Sequence, residues 1–258
     1  MKVEGMQVKD LLIQLIKEST SNPPGIRREL SVGKELIELL VSRAYGGYGV
    51  PHGNNEPILL APGFLAGDWS LSVLKGWLNK IKYDANTAGV LSNVMSTDQM
   101  LDILARKLNE LNEKTNQKVT GIGHSRGGML MKLLGDRYPD KMDHVITLGS
   151  PLSWPFGINP EFTPALLPVA IMQILSKGHG EARKEIKHLA RLIAEPEVPL
   201  TSIRADKDGI VKPTSCIRSD AKNIEVHGSH CGLLVNKEVY AHLGSLLREI
   251  KAPKLIVA

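Results

Sequence analysis

The chain has 258 residues, 42% hydrophobic and 23% charged. This is ordinary globular composition with length enough for one large α/β domain, and it excludes a disordered or low-complexity chain. The formal net charge is +5, but the charges are interleaved, as in Arg106, Lys107 and Glu110, so the balance describes a solvated surface with at most a weak attraction for anionic lipid. Only 4% of residues are aromatic, and neither a basic-aromatic stripe nor zinc-ligand spacing is present, which argues against nucleic-acid recognition and against a metal site.

Residues 1 to 56 read as an N-terminal helical segment. Met1–Asp10 lacks the apolar h-region of an export signal. No apolar run approaches the roughly 18 residues of a membrane span, so a cytoplasmic location is the expectation. Val8, Leu11, Leu12, Leu15 and Ile16 keep helical spacing, Ser21–Gly25 stops them, and Leu36, Ile37, Leu39, Leu40 and Val41 form a second apolar face that ends at Tyr45–Pro51. Such faces are expected to pack on the parent domain rather than on a membrane surface. From Pro57 the pattern changes. Ile58–Ala61 is a short apolar run, as in a strand buried on both faces, and it enters the glycine-punctuated turn Pro62–Asp68. Leu71–Lys80 reads as a helix and Tyr83–Val90 as a strand. Ser96–Gln99 is a capping box that opens a helix through Met100, Leu101, Leu104, Leu108 and Leu111. A strand around Val119, a helix over Met129–Tyr138 and strands at His144–Gly149, Pro199–Ala205 and Asn223–Val226 follow, with Lys237–Ile250 as the closing helix. This alternation predicts a mostly parallel sheet wrapped by helices on both faces, built from residues 57–150 and 199–258.

Residues 151–198 break the alternation. Pro151, Pro155, Pro160, Pro164 and Pro168 punctuate the first half, and the apolar run Leu166–Leu175 and the charged stretch Glu181–Ala194 follow. An inserted helical cap or lid is the expected reading. The two cysteines, Cys216 and Cys231, are expected to be free thiols, with a local disulfide between them as the alternative.

The chemistry centres on Gly123-His124-Ser125-Arg126-Gly127, a G-x-S-x-G pentapeptide between an apolar strand and a helix. A serine on such a corner presents its hydroxyl on a strained turn. It needs an imidazole to take its proton and a carboxylate to orient that imidazole. Downstream, His230 lies on a glycine-flanked loop after the Asn223–Val226 strand, with His227 as its rival. Asp208, which precedes Gly209-Ile210-Val211 after the preceding strand, is favoured over Asp206 as the acid. His124 is expected to pack under the turn. The oxyanion donors would be the backbone N–H groups of Arg126 and of Phe64, with Leu65 as the less favoured choice.

Four segments in this order, Leu60–Phe64, Gly123–Gly128, Asp208–Val211 and Gly228–Leu233, make the stretch from about Pro57 to Ile250 resemble the α/β-hydrolase superfamily, closest to its bacterial lipase and esterase branch. The resemblance implies a sheet of about eight strands, a triad of Ser125, Asp208 and His230, and no cofactor. Many relatives have His-Gly before the oxyanion residue, whereas this chain has Pro62-Gly63. The expected activity is hydrolysis of a small-molecule carboxylic ester, with a lipophilic acyl group suggested by the apolar cap run. An acyltransferase using the same acyl-enzyme is the alternative. A non-catalytic binding protein on this scaffold would have a broken triad, and no triad position is missing.

Overall fold

In a computed structural model, residues 26–153, 184–185 and 187–251 are described. The helix expected over Val8–Ile16 and most of the expected cap lie outside them. Six strands form one sheet: β1 (Pro57–Ala61), β2 (Asp84–Thr87), β3 (Val119–His124), β4 (Met142–Leu148), β5 (Leu200–Ala205) and β6 (Lys222–Val226). Their order is β2-β1-β3-β4-β5-β6, and every neighbouring pair is parallel. Among the described residues the sheet has six of the roughly eight strands the resemblance implied. Ahead of β1, residues 26–46 form a 3-10 turn (Ile26–Ser31), helix α1 (Val32–Leu40) and a single helical turn (Arg43–Gly46). The spacing that buries Glu35 and Leu39 on one side of α1 is helical, so no strand forms there.

A parallel sheet must be covered on both faces, and the alternation of side chains along β1 shows how this is done. Ile58 and Leu60 point into one cluster, with Leu74, Trp77 and Leu78 of α2 (Ser72–Lys80) and Val239, Tyr240, Leu243 and Leu247 of α5 (Lys237–Lys251). Leu59 and Ala61 point into the other, with Met100, Leu104 and Leu108 of α3 (Thr97–Thr115) and Leu130, Met131 and Leu134 of α4 (Arg126–Arg137). Alternate residues thus serve opposite faces. The expected capping box is present at α3. Ser96 accepts from the Gln99 backbone and the Gln99 side chain accepts from the Ser96 N–H. On the first face Trp77 stacks on Tyr240 with ring centroids 4.6 Å apart, and its indole N–H donates to the Ala44 carbonyl at 2.9 Å, which ties the N-terminal helical turn to the core.

Residues 187–193 are helical and return the chain to β5. Two cations hold the C-terminal end of this helix. Buried Lys132 donates to the Arg191 and Ala194 carbonyls at 2.6 and 2.9 Å, and Arg218 donates to Leu192 and Ala194 at 2.8 and 2.9 Å. Terminal helix carbonyls lack intrahelical partners and sit at the negative end of the dipole, so cations belong there. Asp136 and Asp220 balance the two charges at 2.7 and 2.5 Å. Both cysteines are free thiols. Among the described residues no helix is long and apolar enough to cross a membrane.

Strand order reverses at β1. Its successor β2 lies on one side and β3 on the other, so the loops leaving β1 and β3 diverge and open a crevice at their C-terminal ends, where open α/β sheets bind ligands. Leu104 is fully buried in the second cluster. Leu104→Ala should cost about 2–5 kcal/mol, and Ser96→Ala about 1 kcal/mol, measured by urea unfolding. A cost for Leu104→Ala near that of a surface substitution would contradict the packing of α3 on the sheet.

Candidate active site

Ser125 sits between β3 and α4 with φ 52° and ψ −122°. Positive φ is costly for a residue with a Cβ and persists only where the surroundings impose it. Here they do. The Ser125 N–H donates to the Leu148 carbonyl at 2.8 Å. Its own carbonyl accepts from Gly128 N at 3.0 Å and from the Ser150 hydroxyl at 2.7 Å. The flanking glycines follow from close approach. A Cβ on Gly127 would collide with the Ala61 carbonyl, and one on Gly123 with the backbone of Gly127. The serine is thus carried at the N-terminus of α4, in the crevice between β1 and β3.

The β5 and β6 loops bring two carboxylate-imidazole pairs side by side. Asp208 Oδ2 lies 2.7 Å from His230 Nδ1, with the side chains 1% and 3% exposed. The other oxygen, Oδ1, accepts from the Ile210 and Val211 N–H groups at 2.8 and 2.6 Å. Between a carboxylate oxygen and a ring nitrogen the nitrogen donates, so the His230 Nδ1–H is the group bonded to Asp208. Asp206 pairs instead with His227 at 2.9 Å, and the His227 side chain is 81% exposed. Hydrogen bonding to Asp206 raises the His227 pKa. The favoured partners from the sequence are therefore together in the buried pair, and their rivals form a separate surface pair.

The turn after β1 lies over the serine. A Cβ on Gly63 would come within 2.9 Å of His124 Nδ1 and 3.4 Å of Ser125 Cβ. The Leu65 N–H is occupied by the Asn93 carbonyl at 3.3 Å. Asn93 is fully buried and holds the turn at three points. Its amide donates to the Pro62 carbonyl at 2.8 Å, its N–H donates to Ala66, and its carbonyl accepts from Leu65. The Arg126 guanidinium in turn grips the Asn93 carbonyl and side-chain oxygen, and donates to the Met95 carbonyl at 2.7 Å. The residue after the serine and the turn after β1 are therefore tied through a single asparagine.

A family model for the α/β hydrolase fold matches residues 75–178. Solved structures align over most of the chain. The Paleococcus ferrophilus monoacylglycerol lipase aligns with a TM-score of 0.58 at 15% identity, covering 78% of this chain and 97% of that one. One described with LipS and LipT, two metagenome-derived lipolytic enzymes, aligns at 0.56 and 16% identity, over 78% and 96%. The Bacillus licheniformis lipase BlEst2 in mature form aligns at 0.54 and 16%, over 77% and 94%. The chain has the α/β-hydrolase fold. At these identities the likeness is one of fold. No curated protein matches the sequence.

The crevice is a cavity of about 580 Å³ that Ser125, His230, Phe64 and Arg126 all line. Its walls are mainly apolar, among them Met129, Leu130, Leu133, Leu189 and Leu192. Trp69 and Leu65 stand at the rim, 72% and 57% exposed. One polar strip interrupts the wall. Glu185 accepts from the Thr97 N–H and hydroxyl at 3.2 and 2.7 Å, and His188 meets Asp98 at 2.8 Å, which docks residues 184–185 and 187–193 on the start of α3. Burial lowers the Arg126 pKa below its ordinary value. Cys231 also lines the cavity. It keeps a solvent-exposed edge, but desolvation of its sulfur and the Glu29 carboxylate beside it push the thiol up to about 12, so it stays protonated at neutral pH and is a poor rival nucleophile.

His124 packs beneath the corner, as expected from its place in the pentapeptide. Its ring stands 4.7 Å from that of His230, and its Nε2–H donates to the His230 carbonyl at 3.0 Å. Burial, with His230 alongside, depresses its pKa to about 3. The folded state therefore holds His124 neutral where an unfolded chain would protonate it. Below the unfolded value of about 6.5, the unfolded state binds the extra proton, and stability falls as pH drops toward 3, by about 1 kcal/mol per pH unit from this group. Urea unfolding of the parent between pH 7.5 and 4.5 should show this slope. In His124→Gln, which keeps a donor without the titration, the slope should flatten by that amount. An unchanged slope would contradict a neutral buried His124.

Proposed function

We propose that this chain is a serine hydrolase acting on carboxylic esters through an acyl-enzyme. The observation that carries the reading is the buried Asp208–His230 pair at 2.7 Å, whose histidine shares a cavity with Ser125 on its strained corner. His230 Nε2 takes the proton from Ser125 Oγ as the oxygen attacks the ester carbonyl. Asp208 holds the Nδ1–H tautomer and stabilises the imidazolium that forms. The negative charge on the carbonyl oxygen is met by the N–H groups of Phe64 and Arg126, at the positive end of α4. His230 then delivers its proton to the leaving alcohol as the carbonyl reforms. Water, deprotonated by the same nitrogen, attacks the acyl-enzyme, and a second tetrahedral collapse returns the proton to Ser125 and frees the acid. The chain's own residues make every proton transfer, so the reaction calls for no cofactor.

The mainly apolar cavity favours an acyl or other lipophilic group, and its volume lies in the small-ligand range. The lipolytic names of the structural neighbours agree with that substrate class. Residues 151–198, which include the helix at 187–193, would form a cap over the core of 57–150 and 199–258.

Three measurements on p-nitrophenyl esters of rising acyl length test the proposal. Ser125→Ala and His230→Ala should each lower kcat by about 10⁴-fold or more, and Ser125→Ala should abolish labelling by a fluorophosphonate. Asp208→Asn should also be severely impaired, whereas Asp206→Asn should stay within about twofold, as a surface change. The reverse order of the two aspartates would overturn the acid assignment. Asn93→Ala should lower kcat about 10–100-fold with little change in KM, because it frees the turn that presents the oxyanion donor. An effect confined to KM would contradict that role.

A further inference from the structure

The loops that carry Asp208 and His230 are held from outside the hydrolase core. Glu29, in the Ile26–Ser31 turn, accepts three backbone N–H bonds. Its Oε1 takes Gly209 N at 2.9 Å and His230 N at 3.0 Å, and its Oε2 takes Cys231 N at 2.8 Å. One carboxylate thus spans the residue after Asp208, His230 itself, and the residue that follows it. Glu35, one turn into α1 and 8% exposed, reinforces the clamp. Its Oε1 accepts from the Ser229 N–H and hydroxyl at 3.1 and 2.8 Å, and its Oε2 accepts from Asn236 at 3.2 Å. Adjacent outward-pointing N–H groups form an anion-binding concavity, and here the protein fills it with its own carboxylate. With His124 on the His230 carbonyl and Asp208 on Nδ1, the Glu29 bond to the N–H leaves Nε2, among the described residues, as the uncommitted polar atom of His230.

We infer that Glu29 is a positioning residue for His230, and that the N-terminal turn which carries it is a working part of the active site. The inference rests on the proposed triad. Glu29 touches no reacting atom. It fixes the distance between the acid loop and the histidine loop, and so the direction in which Nε2 faces Ser125. Gln at this position keeps the size but replaces one acceptor oxygen by an NH₂ group that opposes a backbone N–H. Asp keeps both acceptors on a stem one methylene shorter.

The test compares the parent, Glu29→Gln, Glu29→Ala and Glu29→Asp in the full chain, with p-nitrophenyl butyrate as substrate and His230→Ala as reference. Glu29→Gln and Glu29→Ala should lower kcat about 10–100-fold, the cost of misplacing a catalytic group by about 1 Å, with KM within about twofold. Glu29→Asp should recover part of the loss. The low-field ¹H resonance of the His230 Nδ1–H bonded to Asp208 should shift or broaden in the Gln variant. If Glu29→Gln lowers only the melting temperature, while kcat and that resonance match the parent, the carboxylate merely holds the fold and the inference is wrong. Should Glu29→Ala fail to fold, the Gln and Asp variants decide alone. If His230→Ala itself retains the parent kcat, the triad reading fails, which is distinguishable from failure of the Glu29 role.

Discussion

The bond between Asp208 and His230 is the contact on which the site depends. A carboxylate and an imidazole are both removed from solvent there, a costly arrangement unless every polar atom finds a partner. Both carboxylate oxygens, the ring Nδ1 and the histidine main chain are provided for. Two backbone N–H groups occupy the second carboxylate oxygen, and the histidine's main chain is bonded at both ends. The result is a ring held through Nδ1 by Asp208, on a residue that lines the same cavity as Ser125. Removal of either partner would strand the other in a dry pocket. The same partners that allow burial thus also set the chemistry.

The sheet explains why these residues meet. Ser125 follows β3, Phe64 follows β1, Asp208 follows β5 and His230 follows β6, so parallel strands deliver all four to one edge. The change of direction at β1 opens the crevice between the first two. Strain at the serine is tolerated because β4, α4 and Ser150 all bond its backbone. The turn after β1, which carries the proposed second oxyanion donor, is tied to the serine's neighbour through Asn93 and Arg126. Rigidity of this kind places donors before charge develops, which is where such sites gain most of their effect.

Much of this was legible in the sequence, for identifiable reasons. Ile58–Ala61 could be read as a strand because burial on both faces demands a continuous apolar run. The Ser96–Gln99 box marked the start of α3 because its two bonds are local. The pentapeptide, Asp208 and His230 could be singled out because each follows an apolar strand-like run, and in the structure Asp208 and His230 form one buried pair in a cavity shared with Ser125. Asp208 could be preferred to Asp206 through the Gly209-Ile210-Val211 that follows it, and the separate Asp206–His227 pair accounts for the other candidates. Asn93, Glu29 and Glu35 were missed. Their partners lie 31, 201 and 194 residues away in sequence, and a single buried amide or carboxylate leaves no periodicity or spacing to detect. Six of the roughly eight strands that the resemblance implies lie among the described residues.

The most direct test of the account is the site of the covalent intermediate. The parent enzyme would be mixed with excess p-nitrophenyl ester, quenched in acid during turnover, digested and analysed by peptide mass spectrometry. The account predicts an acyl adduct on the peptide containing Ser125 and on no other nucleophile, with one equivalent of p-nitrophenol released in the burst. Steady turnover with no adduct on that peptide, or an adduct on Cys231 instead, would contradict it.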